Sequence, residues 1–393
     1  MSKKIGIYIH IPFCKQKCLY CDFISFANME SMQQKYLEAL RKEIECWKEQ
    51  NEDIEISTIY IGGGTPSYVD SKKIKDIISI LSAQIIGKKY KQQDEEKSKS
   101  IKPSEITIEV NPGTVTKEKL EDYKKAGINR LSIGLQSTKE ELLKELGRIH
   151  TYNEFLQTYK MARELGFRNI NVDLMIGLPN QTIEDIKDTL QKIIELEPEH
   201  ISVYSLIVEE NTPMQKLIDE HKLDLPDEEQ ERNMYWYVKN YLELNGYNHY
   251  EISNFAKKGF ESRHNLDCWE QKEYKGFGVA AHSYIGSKRF CNTSLLEEYI
   301  KNIEDDNCKK NVSILEIQTK EEMMKEYMLL GLRKIEGISI SKFEEKFNEN
   351  PIMLFKENLN KLVNERLIII DGDVIKLSNK GLDLANLVWE EFV

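Results

Sequence analysis

Residues 8–23 read YIHIPFCKQKCLYCDF, and their three thiols, Cys14, Cys18 and Cys21, are spaced C-x3-C-x2-C. Three thiolates on one short loop can hold three irons of a [4Fe-4S] cube and leave the fourth iron without a protein ligand. Ahead of them Ile5, Ile7, Ile9 and Ile11 alternate with Tyr8 and His10, the two-residue period of a strand. Pro12 ends that strand, so the cysteines follow its C-terminal end, where the active sites of βα barrels lie. Two other readings compete. A structural zinc wants a fourth ligand, for which His10 is the nearest candidate, and unligated thiols can simply pack.

Outward from this loop, strand-like runs at 5–11, 58–62, 105–110, 130–136, 169–176 and 200–207 alternate with amphipathic helical runs. In 31–50, Tyr36, Leu40, Ile44 and Trp47 recur at helical spacing. The runs 117–126 and 152–165 are followed by Gly127 and Gly166, helix stops. Repeated βα alternation predicts an α/β fold with a parallel sheet. Six such units are too few for a closed eight-stranded barrel, so a partial (β/α)6 TIM-like barrel is expected. The run GKKYKQQDEEKSKSIK at 87–102 has no apolar period and reads as a solvated loop between two units. Past Thr212 the βα rhythm fades. From about Ile314 the pattern turns helical, then 367–371 and 373–377 flank a DG turn before a last helix, which suggests a small helical, winged-helix-like domain.

The 393 residues suffice for a large catalytic domain and a smaller one. No apolar run approaches a membrane span and no signal-peptide pattern opens the chain, so an intracellular protein without a transmembrane anchor is expected. Seven cysteines, three of them crowded together, fit metal ligation better than a disulfide framework. Cys46, Cys291 and Cys308 are isolated and read as inert. A net charge of −11 argues against nucleic acid as a partner.

Further candidates lie near predicted strand ends. IYIGGGTP at 59–66 is a glycine-rich turn whose backbone can approach a ligand and donate N–H groups, and it lacks the G-K-[ST] of a P-loop. Glu109, Gln136 and Asp173 sit at or near the ends of their strands, on a barrel's working rim. Glu109 can accept from ribose hydroxyls and Arg148 can pair with a carboxylate. A local cap or salt bridge is the alternative for each.

The C-x3-C-x2-C segment with Tyr20 before its third cysteine resembles the radical S-adenosylmethionine (SAM) superfamily. The resemblance implies a [4Fe-4S] cluster on Cys14, Cys18 and Cys21. Its open iron chelates S-adenosyl-L-methionine, which an electron from the cluster cleaves to methionine and a 5′-deoxyadenosyl radical. It also implies SAM contacts from Tyr8, Tyr20, Gly63, Gly64, Thr65, Glu109, Gln136, Arg148 and Asp173. The order YIHIPFC, GGGTP, EVNP, GLQS, GRIH and DLMIGLP is similar to the oxygen-independent coproporphyrinogen III oxidase group over nearly the whole chain. That group holds the oxidases and the HemW family of haem chaperones. The oxidases carry a fourth cysteine where this chain has Phe23, and a long N-terminal extension where this chain has thirteen residues before Cys14. Both departures favour the chaperones, with a radical SAM oxidative decarboxylase of coproporphyrinogen III (a coproporphyrinogen dehydrogenase-like oxidoreductase), or a related two-SAM methyltransferase, as the alternative. Whether the chain is an enzyme stays open. RHNLDCW at 263–269 resembles the haem-binding HNxxYW motif of the chaperones, with Cys268 at the Tyr position, and implies haem contacts from His264, Asn265 and Trp269. Cys268 as a ligand and His282 as a second histidine are further candidates, each with a structural role as the alternative. The resemblance implies haem as cargo, acceptor haem proteins and an electron donor such as flavodoxin or ferredoxin as partners. It also implies a cytoplasmic site of action that extends to the inner membrane face. The expected divisions are 1–211 (radical SAM partial barrel), 212–310 (a connecting region that completes the barrel side and carries the HNxxYW-like motif) and 311–393 (the C-terminal domain of the oxidase group).

Overall fold

A computed structural model describes residues 3–51, 53–83, 103–305 and 308–393; the loop expected at 87–102 lies outside them. Its centre is one sheet of twelve strands. Six parallel strands follow chain order: Lys4–Ile11, Glu55–Gly63, Glu105–Val110, Arg130–Gln136, Ile170–Ile176 and His200–Ser205. Each neighbours the next in the sheet. These are the six expected strands, with ends shifted by a few residues.

The two-residue period sorts these strands into two faces. In Arg130–Gln136, Leu131, Ile133 and Leu135 alternate with Arg130, Ser132, Gly134 and Gln136. The apolar set joins the main core with Ile5, Ile7, Ile9 and Ile11 and with the helices between the strands. Helix Glu30–Gln50 adds Tyr36, Leu40 and Ile44 to that core. Burying one such side chain contributes roughly 1.5–3 kcal/mol. The polar set turns inward, and it forms the site.

Sequence periodicity missed what closes the sheet on its other side. Strand Tyr274–Phe277 pairs in parallel with the first strand. Antiparallel strands His282–Ile285, Lys288–Asn292 and Val312–Ile317 then follow outward. The helical pattern expected from Ile314 is therefore incorrect: Val312–Ile317 is the end strand, and the helix starts at Lys320 behind a Thr319–Glu322 capping box. The strand is exposed at every position, so its apolar residues show no burial period.

Residues from Met324 to Phe392 form a second core. Helices there flank a three-stranded sheet of Ile338–Ser339, Val374–Leu377 and Ile368–Asp371, with the expected hairpin at the DG turn. Among the described residues no helix is long and apolar enough to cross a membrane.

Candidate functional site

The cysteine loop leaves the first strand at Pro12 and is held on several sides. Phe13–Cys14 pairs with Phe26–Ala27. The Leu19 amide donates to Leu146 O (3.0 Å), and Gln16 Nε2 donates to Gly147 O (3.0 Å). The glycine turn presses on it from below. The Gly64 amide donates to Ile11 O (2.9 Å) and the Thr65 amide to Phe13 O (2.8 Å). A Cβ on Gly64 would stand 2.9 Å from Cys14 Sγ and 3.0 Å from Phe13 O. Gly63 has φ +115°, a conformation that favours glycine, and a Cβ there would stand 2.7 Å from the His10 ring. Its amide donates to Glu109 Oε2 (3.2 Å). The turn's N–H groups are thus committed within the protein, contrary to the expectation that they would meet a ligand. Its close approach to Cys14 is what needs glycine.

A cavity of about 390 Å³ opens where loop and turn meet. It gathers Cys14, Cys18 and Cys21 with Tyr20, Gly63, Gly64, Thr65, Glu109, Gln136, Arg148 and Asp173. Of the residues expected around SAM, only Tyr8 lies elsewhere. Arg148 donates through Nη2 to Gly134 O (2.9 Å) and through Nη1 to Asn111 Oδ1 (3.4 Å), and lies 3.7 Å from Cys18 Sγ. Its buried Nε has no partner, an unspent donor beside the cavity. Glu109 accepts from Tyr60 Oη (2.9 Å), and burial, then Asp173, push its carboxyl up to about 7. Burial also raises Asp173, against hydrogen bonds from Asn171 (2.6 Å) and Ser132 (3.2 Å). Gln136 takes φ +70°, a sparsely populated backbone state for a residue with a side chain.

Tyr60, Asn111, Ser132 and Tyr204 also line this cavity and were not expected there. The signal was available: Asn111 follows Glu109 by two, and Ser132 precedes Gln136 by four, on the same strand faces.

A second cavity of about 520 Å³ adjoins the first, sharing Phe23, Gly63 and Glu109 as wall. Phe23 is 63% exposed there. Tyr8, His10, His264, Cys268, Tyr274 and His282 line this space. His264 is set by its helix, Arg263–Trp269, which Ser262 caps. The Glu105 carboxylate accepts the amides of Arg263 and His264 (both 3.1 Å). His264 Nδ1 lies 2.9 Å from Thr58 Oγ1, and the ring stacks on Tyr60 at 5.3 Å. Burial, then the charge of Arg130, pull its pKa down to about 4, so the imidazole is neutral near pH 7. Burial pushes the Cys268 thiol up to about 12. Asn265 and Trp269 line neither cavity; Trp269 instead stacks under Arg333, whose guanidinium carbon is 4.5 Å from the ring centre. Cys46 and Cys291 are unpaired thiols away from both spaces, and the Cys308 side chain is outside the described set.

The residues of the first cavity fit a SAM-bearing cluster. Three free thiols share one loop, a glycine admits Cys14 Sγ, and a buried arginine has an unspent donor. Among the described residues no three His, Cys, Asp or Glu side chains converge as one metal site. A cube does not ask for that, because each thiolate binds a different iron.

Residues 8–193 match the model of the radical SAM superfamily, and residues 318–384 match the HemN C-terminal domain. The heme chaperone HemW of Bacillus subtilis (strain 168) is 38% identical over 386 residues, covering 98% of this chain and 98% of that protein. The heme chaperone HemW of Lactococcus lactis subsp. lactis (strain IL1403) is 34% identical over 393 residues, covering 100% and 98%. The solved structure of coproporphyrinogen III oxidase (HemN) from Escherichia coli, a radical SAM enzyme, matches with a TM-score of 0.82 at 23% identity. That match covers 100% of this chain and 90% of the other, and it speaks for the fold.

Proposed function

This chain belongs to the HemW family of the radical SAM superfamily, and from that premise we propose that it is a haem chaperone: it carries a SAM-coordinated [4Fe-4S] cluster in the first cavity, holds haem in the second and delivers haem to respiratory haem proteins. The observation that carries the reading is the pair of adjoining cavities, three thiols in one and three imidazoles in the other.

Cys14, Cys18 and Cys21 hold three irons. The fourth iron, without a protein thiolate, would be left for S-adenosyl-L-methionine. When bound, the reduced cluster supplies an electron to the sulfonium. Arg148 pairs with the SAM carboxylate through the donor it has spare. The SAM amino group would donate its N–H to carbonyl oxygens of the glycine turn, whose own N–H groups are engaged. Glu109 accepts the ribose hydroxyls, and Tyr20, Gln136 and Asp173 complete the walls. Tyr8 stands behind Glu109, on the haem side. His264 serves haem as a neutral imidazole whose Nδ1 is steadied by Thr58, the arrangement that orients a ligating histidine. Haem delivery places the protein in the cytoplasm and, in passing, at the inner membrane face. An electron donor such as flavodoxin or ferredoxin reduces the cluster.

Anaerobic reconstitution followed by haem titration tests the reading. The protein is expected to take up about four irons per chain and one haem, and His264→Ala to weaken haem binding. Conversion of coproporphyrinogen III to protoporphyrinogen at enzyme-like turnover, with dithionite and SAM, overturns it in favour of the oxidase.

A further inference from the structure

The second cavity has a particular origin in the sheet. Its pairing runs from Tyr60 to Tyr8 to Gly276, and because Tyr274 pairs with Tyr284 across the hairpin, the same row ends at His282. Tyr8 and His282 both line the second cavity. Gly276 puts no side chain between them, and it can carry none: a Cβ there would lie 2.1 Å from His282 O. Two strand spacings, about 10 Å, therefore separate the backbones of Tyr8 and His282. One row deeper, at Gly6, the His264 ring packs 3.4 Å from where a Cβ would be.

Three histidines face this space, and their free nitrogens differ. His10 is committed at both, to Tyr8 Oη (2.9 Å) and to Ile24 O (2.8 Å). His264 is held at Nδ1 alone. His282 makes no side-chain hydrogen bond among the described residues and is exposed at the cavity mouth. Cys268 is a half-buried thiol, a poor ligand while protonated.

We propose that His282 is the second axial ligand of the haem iron, on the face opposite His264, and the ligand given up when haem passes to an acceptor. The inference rests on the reading that haem occupies this cavity. A buried imidazole on a capped helix holds the iron, and an exposed one on a hairpin can be replaced by an incoming ligand. Exchange of one neutral nitrogen donor for another needs no redox partner.

The test titrates ferric haem into the reconstituted full-length protein and reads absorption and electron paramagnetic resonance. The wild type is expected to give a six-coordinate, low-spin, bis-imidazole spectrum. His282→Ala and His282→Gln are expected to lose it for a high-spin form and to release haem faster to apomyoglobin. Added imidazole should restore the low-spin spectrum. A high-spin wild-type complex, or an unchanged spectrum in both variants, overturns the assignment. A wild type that takes up no haem removes the premise, a failure told apart because it appears before any substitution.

Discussion

Glu109 stands in the wall between the two cavities, near Tyr60 of the adjacent strand, Asp173 two strands away and the charge of Arg130. Its carboxyl titrates near 7, above its ordinary range, because burial and Asp173 disfavour the charge. A folded value above the unfolded one means that the stability this group contributes is full below the unfolded value and is lost as pH rises through about 7. Glu109→Gln is therefore expected to raise the ligand-free protein's unfolding midpoint relative to wild type at pH 8 and to change little at pH 4. SAM binding has the opposite sign, since ribose hydroxyls donate to the carboxylate. Affinity is expected to rise about tenfold from pH 6 to pH 8 and to be flat in Glu109→Gln, measured by calorimetry on reconstituted protein. A flat wild-type profile rules out this role. Glu109 was legible in the sequence as a polar residue near a strand end. Its altered acidity was not, because Asp173 is a neighbour only through the sheet.

The glycine turn at the end of strand Glu55–Gly63 shows how one element can serve two ends. At Gly63 the need is the backbone angle, and at Gly64 it is the space. Gly64→Ala must move Phe13 O and Cys14 Sγ, which a Cβ would approach to 3.0 and 2.9 Å. It is expected to lower iron content after reconstitution below the wild-type value of about four per chain, with secondary structure by circular dichroism retained. Full iron content would show that the loop yields freely. The three glycines were visible as a special turn, yet the sequence suggested that their amides would face a ligand. Only the fold shows the amides of Gly63, Gly64 and Thr65 turned back to Glu109, Ile11 and Phe13. The end strand Val312–Ile317 is the converse case. Its pairing with Lys288–Asn292, not any period of its own, makes it a strand.

At the scale of the molecule, two cores meet across a polar seam. Arg333 lies between Trp269 and Trp389, its guanidinium carbon 4.5 and 4.8 Å from the ring centres. Arg289 Nε donates to Glu326 (3.1 Å) and Trp236 Nε1 to Asp383 (2.6 Å). Each cation–π contact of this kind is worth roughly 0.5–2 kcal/mol. Arg333→Ala is expected to cost about 1–3 kcal/mol and to lower the thermal transition followed by tryptophan fluorescence; an unchanged transition would show the seam to be slack. This seam also explains Trp269, which the motif resemblance placed against haem and the fold places against Arg333. By itself, the sequence determined the six parallel strands, the thiol loop, the rim carboxylates and the family. These follow from local periods and short motifs. The tertiary structure alone decided that a seventh parallel strand flanks the first, and that His264 and His282 share a second cavity. Those facts depend on register between strands far apart in the chain. Register is set by pairing and packing of the whole sheet rather than by any one segment.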